Sequence, residues 1–337
     1  LNRIIIDDVL LDDQSGKEML KITRLSAKFD IIPLFNGKIT ISSVQLFGFN
    51  INLNKPAPHM EPNFKFVLDA FASKDTVKTK KDIDLRINSI LIRRGKLSYD
   101  VLSEEETPGK FNPQHIKLHN IIANISLKAL QNDSINAAIK RLSVDEQSGF
   151  ELRKLSLKVI ANNKGMKIEN FAIEMPGTEM KMDTIRMEYD SLKALNHFAD
   201  NVRFSFRTLP SHVTLNDISA FVPALSNFKE KLDLNIDVEG TLNQLNCRTL
   251  EINAGDKFRL KGDVSLQDLS RPQDAYVYGH LANLSANKEG IGFLVRNLSP
   301  HYNGVPPVLQ HLGNTSFHGE ISGYFTDLVM YGLFRTD

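Results

Sequence analysis

The chain has 337 residues, enough for one elongated domain or two compact ones. Its 41 Lys and Arg nearly balance its 40 Asp and Glu, which argues against nucleic-acid binding because such proteins carry a basic surplus. A hydrophobic content of 42% is typical of a globular chain. The single cysteine, Cys247, excludes an internal disulfide and a cysteine-based zinc site.

No run of about 18 apolar residues is present, so the sequence predicts no membrane-spanning helix. The chain begins in a strand-like pattern at Leu1, without an initiator Met or a signal segment. These features predict a fragment of a longer protein, with any membrane anchor outside it.

The first predicted elements are strands at residues 4–11 and 19–29, joined by a hairpin turn at 12–16. A calcium loop at that turn is excluded by the positions of Gly16 and Glu18. The next stretch, KITISSVQLFGFNINL at 38–53, has apolar residues at every second position, which predicts a half-buried strand. Its phase slips at 42–43 and again at 47–48, which indicates bulges or turns.

The segment after this strand contains a breaker at 55–58 and a short helix whose apolar face carries Phe64, Val67, Leu68 and Phe71. A polar loop follows at 73–82. Alternation resumes at 83–92, and Arg94-Gly95 predicts a tight turn into a strand at 96–99. Residues 41–44 and 87–90 match at an offset of 46 residues, which predicts a repeated array of hairpins.

Two candidate metal sites follow, and the pattern argues against both. Glu104, Glu105 and Glu106 are typical of a solvated loop. His115 and His119 have the spacing of a helical zinc pair, but their neighbours predict a strand. In a strand, four residues span about 13 Å, too far for one metal ion.

The second half of the chain predicts an antiparallel meander. Strand-length segments at 139–144, 152–160, 166–175 and 180–189 alternate with short turns that exclude parallel crossovers. Further strands are predicted at 202–209, 212–215, 232–239, 247–253, 257–266, 275–284, 316–325 and 328–334. Short helical pieces are predicted at 191–198, at 218–228 with a break at Pro223, near Ile291 to Leu298, and after Pro307. The fold class is therefore mainly β, with an elongated, curved antiparallel sheet, trough-like or closed, and a few short helices.

Two stretches resemble the AsmA-like superfamily, and more closely the N-terminal part of TamB-like translocation and assembly proteins of Bacteroides-type bacteria. They are LLDDQSGKEMLKITRLSAKFDIIPLFNGKITISSVQLFGFNINLNK and DISAFVPALSNFKEKLDLNIDVEGTLNQLNCRTLEINAGDKFRLKGDVSLQDLS. The later run from AYVYGHLANL through GIGFLVRNL to GEISGYFTDLVMYG is similar to the same family. The resemblance covers most of the chain, with a subdivision into a hairpin array at 1–200 and an AsmA-like segment at 201–337.

The resemblance implies a periplasmic segment of a protein anchored in the inner membrane. It implies a trough-shaped β-sheet with an apolar interior, linked to outer-membrane protein assembly and to phospholipid movement between the two membranes. The partners it implies are phospholipids or acyl chains, and outer-membrane assembly proteins.

Three functions follow as hypotheses. The first is a lipid-binding or lipid-conducting groove, and the second is a scaffold that pairs its sheet edges with client strands. The third, an enzyme, is disfavoured because no nucleophile–base pair, phosphate loop or metal motif is found, and no cofactor is predicted. The clearest alternating sets, and the candidate groove-lining residues, are Leu85, Ile87, Leu232, Leu234, Ile236 and Val238.

Overall fold

The computed structural model describes residues 2–31, 40–72, 86–131, 134–271, 273–298, 307–324 and 327–337. These residues form one mixed sheet of 19 strand segments. The strands are β1 (Arg3–Asp12), β2 (Glu18–Asp30), β3 (Thr40–Lys55), β4 (Arg86–Ile87), β5 (Ser89–Val101), β6 (His115–Gln131), β7 (Ser134–Glu146), β8 (Glu151–Ala161), β9 (Gly165–Glu174), β10 (Glu179–Lys181), β11 (Ile185–Glu188), β12 (Arg203–Arg207), β13 (Ser211–Val213), β14 (Leu232–Thr241), β15 (Gln244–Asn253), β16 (Phe258–Gln267), β17 (Tyr276–Ala286), β18 (Thr315–Tyr324) and β19 (Asp327–Thr336).

The helices are few and short, as the sequence predicts. The α-helices are α1 (Lys65–Ala72), α2 (Phe198–Asn201), α3 (Lys288–Leu298) and α4 (Pro307–Gln310). Short 3₁₀ helices lie at Leu192–His197, Leu215–Ile218 and Pro223–Leu225. The helical piece predicted at 218–228 is thus reduced to 3₁₀ turns around Pro223, whose ring cannot continue an α-helix.

The mainly β fold class is confirmed, and one part of it is corrected. The predicted sheet was antiparallel throughout, whereas β3 pairs in parallel with β4 and β5. A parallel pair needs a long crossover, and the connection between β3 and β4 contains α1 and is long enough to return the chain to the same end of the sheet. The trough shape stays a prediction.

The parallel pair explains the internal sequence repeat. Ile41 lies opposite Ile87, and Val44 lies opposite Ile90, the same offset of 46 residues at which the two segments match. The offset continues to the end of the ladder, where Lys55 faces Val101. Matching residues therefore lie side by side in neighbouring strands, rather than in successive hairpins.

The tight turn predicted at Arg94-Gly95 is wrong, because β5 continues through both residues. The phase slip there is a bulge: the register between β5 and β6 shifts on both sides of Gly95, and Arg94 has a φ of 55°. Gly48, the residue at the matching position of β3, also has a positive φ, of 67°. A left-handed residue inside a strand produces a phase slip that resembles a turn in the sequence.

Phase slips recur at the same level of several neighbouring strands. Asp8 in β1 and Asn120 in β6 have φ values of 54° and 53°, beside those of Gly48 and Arg94. Apolar side chains three residues apart across each slip join one cluster, although in a regular strand they would point to opposite faces. Such pairs are Ile22 and Leu25, Leu46 and Phe49, and Leu118 and Ile121.

The first hairpin turn is confirmed. The Asp13 carboxylate accepts hydrogen bonds from the backbone N–H groups of Ser15 and Lys17, at 2.8 and 3.0 Å. Its bond with the Ser15 hydroxyl is the largest cause that lowers the pKa of Asp13 to about 2. The turn uses this carboxylate for the hydrogen bonding typical of Asp in turns, with no need of a bound cation.

Backbone contacts divide the chain into two compact units. Unit 1 contains Leu1–Ala129, Ala137–Ser156 and Ala220–Pro223, and unit 2 contains Leu130–Asn136, Leu157–Ser219 and Ala224–Asp337.

The substitution Gly48→Ala tests the slip in β3. A Cβ atom at Gly48 would lie 2.6 Å from Thr23 Oγ1, in addition to the cost of a positive φ. Gly16 is a matched control, because its φ is 79° but a Cβ there meets no atom within 4 Å. We expect Gly48→Ala to lower the free energy of unfolding in urea by at least about 1 kcal/mol more than Gly16→Ala. If both substitutions lowered the free energy of unfolding equally, the result would contradict a close approach of β2 to β3 at Gly48.

Candidate apolar binding face

Strand β14 places four of the six predicted residues on one face of unit 2. Leu232 and Val238 are 6% and 5% exposed, and Leu234 and Ile236 between them are half-buried. Asp233, Asn235, Asp237 and Glu239 alternate with them. Residue Ile87 lies in β4 of unit 1, and Leu85 lies outside the described residues.

Four lateral rows of side chains extend this face across the neighbouring strands, and we call these rows together the apolar face. Each row follows the register of the ladders, so its members lie beside one another and point to the same side. The rows are Leu234–Ile252–Leu260–Leu284–Phe317–Phe334, Ile236–Leu250–Gly262–Leu281–Gly319–Gly332, Phe206–Val238–Cys247–Val264–Gly279–Ile321–Met330 and Phe204–Gly240–Leu245–Leu266–Val277–Gly323–Leu328. No row contains a charged residue.

Bulges keep the rows apolar along each strand. The β15–β16 register shifts between Cys247 and Leu250, and the β17–β18 register shifts between Leu281 and Leu284. Without such shifts, residues an odd number of positions apart would point to opposite faces of the sheet. The bulges of unit 2 thus have the same effect as the slips of unit 1.

The two ends of the face differ in what packs on them. At the end near Leu232, helix α3 contributes Ile291 and Phe293 to a buried cluster that also holds Phe258. The second cluster surrounds Val238, Cys247, Val264 and Val277, and all of its members are strand residues. At that end, the described helix that contacts the face is α2, whose Phe198 ring stacks on Phe204 with centroids 6.0 Å apart.

Unit 1 has an apolar cluster of the same kind. Ile22, Phe49 and Ile121 are buried at its centre, and every side chain packed around them also belongs to a strand. Phe49 lies over Gly95, where a Cβ atom would be 2.3 Å from the Phe49 ring. Glycine at this position gives the ring its space, a known arrangement of aromatic and glycine residues on paired strands.

The opposite face of unit 2 is polar and carries ion pairs. Asp237 accepts hydrogen bonds from Arg248 at 2.9 Å and from Arg207 at 3.0 Å, and Arg203 pairs with Glu239. The bond with Arg248 is the largest cause that holds the pKa of Asp237 below its ordinary value. A cavity of about 730 Å³ is lined by polar residues that include Glu251 and also by Leu234, Ile252 and Leu260. Water-facing charges on one side and apolar rows on the other make the sheet of unit 2 amphipathic.

One cluster of titratable groups stands apart from the apolar face. The buried ring of His115 has Nδ1 2.9 Å from the Asp100 carboxylate and Nε2 2.9 Å from the Glu104 carbonyl oxygen. Both neighbours are acceptors, so the arrangement is satisfied in full only by a ring protonated at both nitrogens. The Asp100 bond is the main cause that raises the pKa of His115 above its ordinary value.

The same cluster includes the carboxylate of Glu106, which could complete a three-ligand metal site with Asp100 and His115. However, Glu106 pairs with the Lys117 ammonium at 2.9 Å. The contacts are those of a structural ion-pair cluster that fastens the loop between β5 and β6.

No protein-family model, curated protein or solved structure matches this chain. None of the helices in the described ranges is long and apolar enough to cross a membrane.

The candidate residues chosen from sequence are a small part of the face. The alternation did not single out Leu245, Leu250, Val264, Leu266 or Val277. All of them except Leu245 lie on predicted strands. Period-two alternation was the available signal, and it is interrupted by the bulge between Cys247 and Leu250. Phe204 and Phe206 also lie at alternate positions of a predicted strand, but the strand they occupy is short. Their rings stack in parallel with centroids 6.3 Å apart.

The His115 ion pair predicts a pH dependence of stability. Because the folded-state pKa is raised, the contribution is fully present below the unfolded value near 6.5 and is lost as pH rises through the folded pKa. We expect His115→Gln to lower the urea midpoint more at about pH 6 than at about pH 9. The control is His119→Gln, at an exposed histidine 3.8 Å from Asp145. A pH-independent loss in His115→Gln would contradict the imidazolium assignment.

Proposed function

We propose that this chain binds lipid acyl chains along the apolar face of its sheet. The observation that carries the proposal is the set of four uncharged rows, together with a cluster around Val238 that contains strand residues only. The centre of this cluster is already buried, so the ligand would contact the half-buried side chains around it, such as Ile236, Leu250 and Leu266. Each CH₂ group moved from water onto an apolar surface contributes about 0.8 kcal/mol. An acyl chain supplies such groups in a form that fits an extended row.

The polar face fits this function. Its ion pairs, such as Arg207 with Asp237 and Lys261 with Glu251, are compatible with exposure to water while the other face holds apolar ligand. Two rows run from β12 to β19 and two from β14 to β19, so a ligand lying along one row would meet no charged side chain of that row. A lipid could therefore bind to the apolar face without breaking the ion pairs on the polar face.

The biological setting in this proposal is the periplasm. The resemblance to AsmA-like and TamB-like proteins supports a segment of an envelope-biogenesis protein, anchored in the inner membrane outside the described residues and carrying phospholipid toward the outer membrane. The proposed role is passive binding or conduction, without catalysis and without a cofactor. Outer-membrane assembly proteins are the proposed protein partners.

A second candidate function is strand pairing with client proteins, and β1 favours it. Ile4, Ile5 and Ile6 are about half exposed, and they point alternately to both faces. Among the described ladders, β1 pairs only with β2. An exposed apolar edge of this kind can accept an extended peptide as an additional strand.

Lipid binding is tested by native mass spectrometry of the chain mixed with phosphatidylglycerol. The Ile236→Asp variant places a charge in the second row, and we expect at least about tenfold weaker binding, since tenfold corresponds to about 1.4 kcal/mol. The control is Tyr278→Asp, which adds the same charge at an exposed position of β17 on the polar face. Circular dichroism checks that both variants fold.

Two results would contradict lipid binding along this face. One is a wild-type chain that neither co-purifies with phospholipid nor takes up phosphatidylglycerol. The other is equal loss of lipid in both folded Asp variants, because that would assign binding to charge rather than to the apolar rows.

Strand pairing is tested with a photo-crosslinking residue at position 5 and an unfolded outer-membrane β-barrel protein as the probe. We expect crosslinks from position 5 but not from position 22, where Ile22 is buried inside the sheet. Crosslinks at equal yield from both positions would indicate non-specific contact and reject the edge as the site.

A further inference from the structure

A further cavity, of about 730 Å³, lies in unit 1 beside the exposed ring of Phe47. A lateral row of four residues crosses it. Asp7 of β1 is opposite Arg24 of β2, which is opposite Phe47 of β3. Phe47 in turn is opposite Arg93 of β5. Neighbouring strands are about 4.8 Å apart, so the backbones of Arg24 and Arg93 stand about 10 Å apart on either side of the ring.

A third arginine packs on the same ring. Phe47 is 40% exposed, and the guanidinium carbon of Arg94 lies 5.4 Å from its ring centroid. Leu46 belongs to the apolar cluster of unit 1, so Phe47, the next residue, points to the opposite face of the sheet. Stacking on an aromatic ring fixes the orientation of a guanidinium group. Arg93 and Arg94, two consecutive residues of β5, are therefore both placed beside Phe47.

The backbone of Arg94 is strained, although the neighbouring strand makes the same slip with glycine. Arg94 has a φ of 55°, and Gly48, which occupies the matching position of β3, has a φ of 67°. Asp8 and Asn120 are of residue types that tolerate this conformation, but arginine is not. Glycine at position 94 would form the bulge at a lower cost, so the bulge does not explain the guanidinium group. Strain of this kind is typical of residues whose side chains have a function.

Two of the three guanidinium groups are available to a ligand. Asp7 accepts hydrogen bonds from Nε and Nη2 of Arg24, at 2.6 and 3.3 Å, so this pair is satisfied. Among the described residues, neither Arg93 nor Arg94 forms an ion pair with a carboxylate. With Asp8, which also lines the cavity, three arginines stand beside two carboxylates, a surplus of one positive charge. The surplus favours an anionic ligand.

We propose that Arg93 and Arg94 bind the phosphate group of a phosphate monoester in the cavity beside Phe47. A guanidinium group presents parallel N–H donors that match the oxygens of a phosphate, and two such groups match the two charges of a monoester. Leu91, which also lines the cavity, offers apolar surface to the organic part of the ester. The same chemistry is present in a soluble phosphate ester and in the head group of phosphatidic acid, and the experiment separates these two sources.

The proposed phosphate site is separate from the apolar face. All the residues that line its cavity belong to unit 1, whereas the four apolar rows belong to unit 2. The inference therefore goes beyond acyl-chain binding and does not depend on it.

The first test is isothermal titration calorimetry of the 337-residue chain with glycerol 3-phosphate. We expect the wild type to bind, and we expect at least about tenfold weaker binding by Arg93→Gln and by Arg94→Gly, because each variant removes one guanidinium group from the phosphate. The control is Arg186→Gln, which removes an exposed arginine of β11 in unit 2 and should bind as the wild type does.

The second test is co-sedimentation with phosphatidylcholine vesicles that contain phosphatidic acid. Binding to these vesicles that is lost in Arg93→Gln assigns the site to a lipid head group, and binding of glycerol 3-phosphate alone assigns it to a soluble ester. A wild type that binds neither probe would overturn the proposal. Equal binding by the wild type and both arginine variants would also overturn it.

The stability of Arg94→Gly separates ligand binding from a structural role. Glycine adopts a positive φ without the steric cost that arginine bears, which offsets the lost contact with Phe47. We therefore expect a urea midpoint close to that of the wild type, together with the loss of phosphate binding. A lower midpoint with unchanged phosphate binding would assign Arg94 to packing and reject the site. If Arg94→Gly is destabilised and also loses binding, Arg93→Gln, at an exposed position, decides the case.

Discussion

The structure depends on one constraint: the long strands that form the apolar clusters keep their apolar side chains on the same face of the sheet over about ten residues. A regular strand does this only while its sequence alternates, because each side chain points opposite to the one before it. Here the alternation slips in several strands, and a bulge compensates for each slip. In unit 1 the compensation lies at Asp8, Gly48, Arg94 and Asn120, all with positive φ. In unit 2 it lies in β15 and β17.

The aligned slips have a cost and a benefit. A left-handed residue other than glycine costs about 1–2 kcal/mol, and Arg94 occupies such a conformation inside β5. In return, side chains on both sides of the slip join one cluster around Phe49 and Ile121. Burying a large apolar side chain contributes about 1.5–3 kcal/mol, so a single correctly placed residue offsets the local strain.

A sheet built in this way has surfaces that its own strands do not cover. Helix α3 packs on one end of the apolar face, and at the other end the buried centre of the Val238 cluster is surrounded by half-buried strand residues, with Phe198 of α2 on Phe204. Strand β19 exposes apolar residues on both faces. The proposed acyl-chain binding is one way to remove such a surface from water.

The sequence by itself determined the mainly β class, the turn at Asp13, the short helix α3 and the apolar set Leu232, Leu234, Ile236 and Val238, because alternation, turn chemistry and helical periodicity are local signals. Only the tertiary structure decided the rest. The parallel pairing of β3 with β5 depends on residues 46 positions apart, and the continuity of β5 through Arg94 depends on the bulge that its neighbours impose. The partners of His115 and the lateral rows of the apolar face likewise arise from strand register. Where the paired strands are far apart in the sequence, register depends on which strands meet, and a local pattern alone cannot specify it.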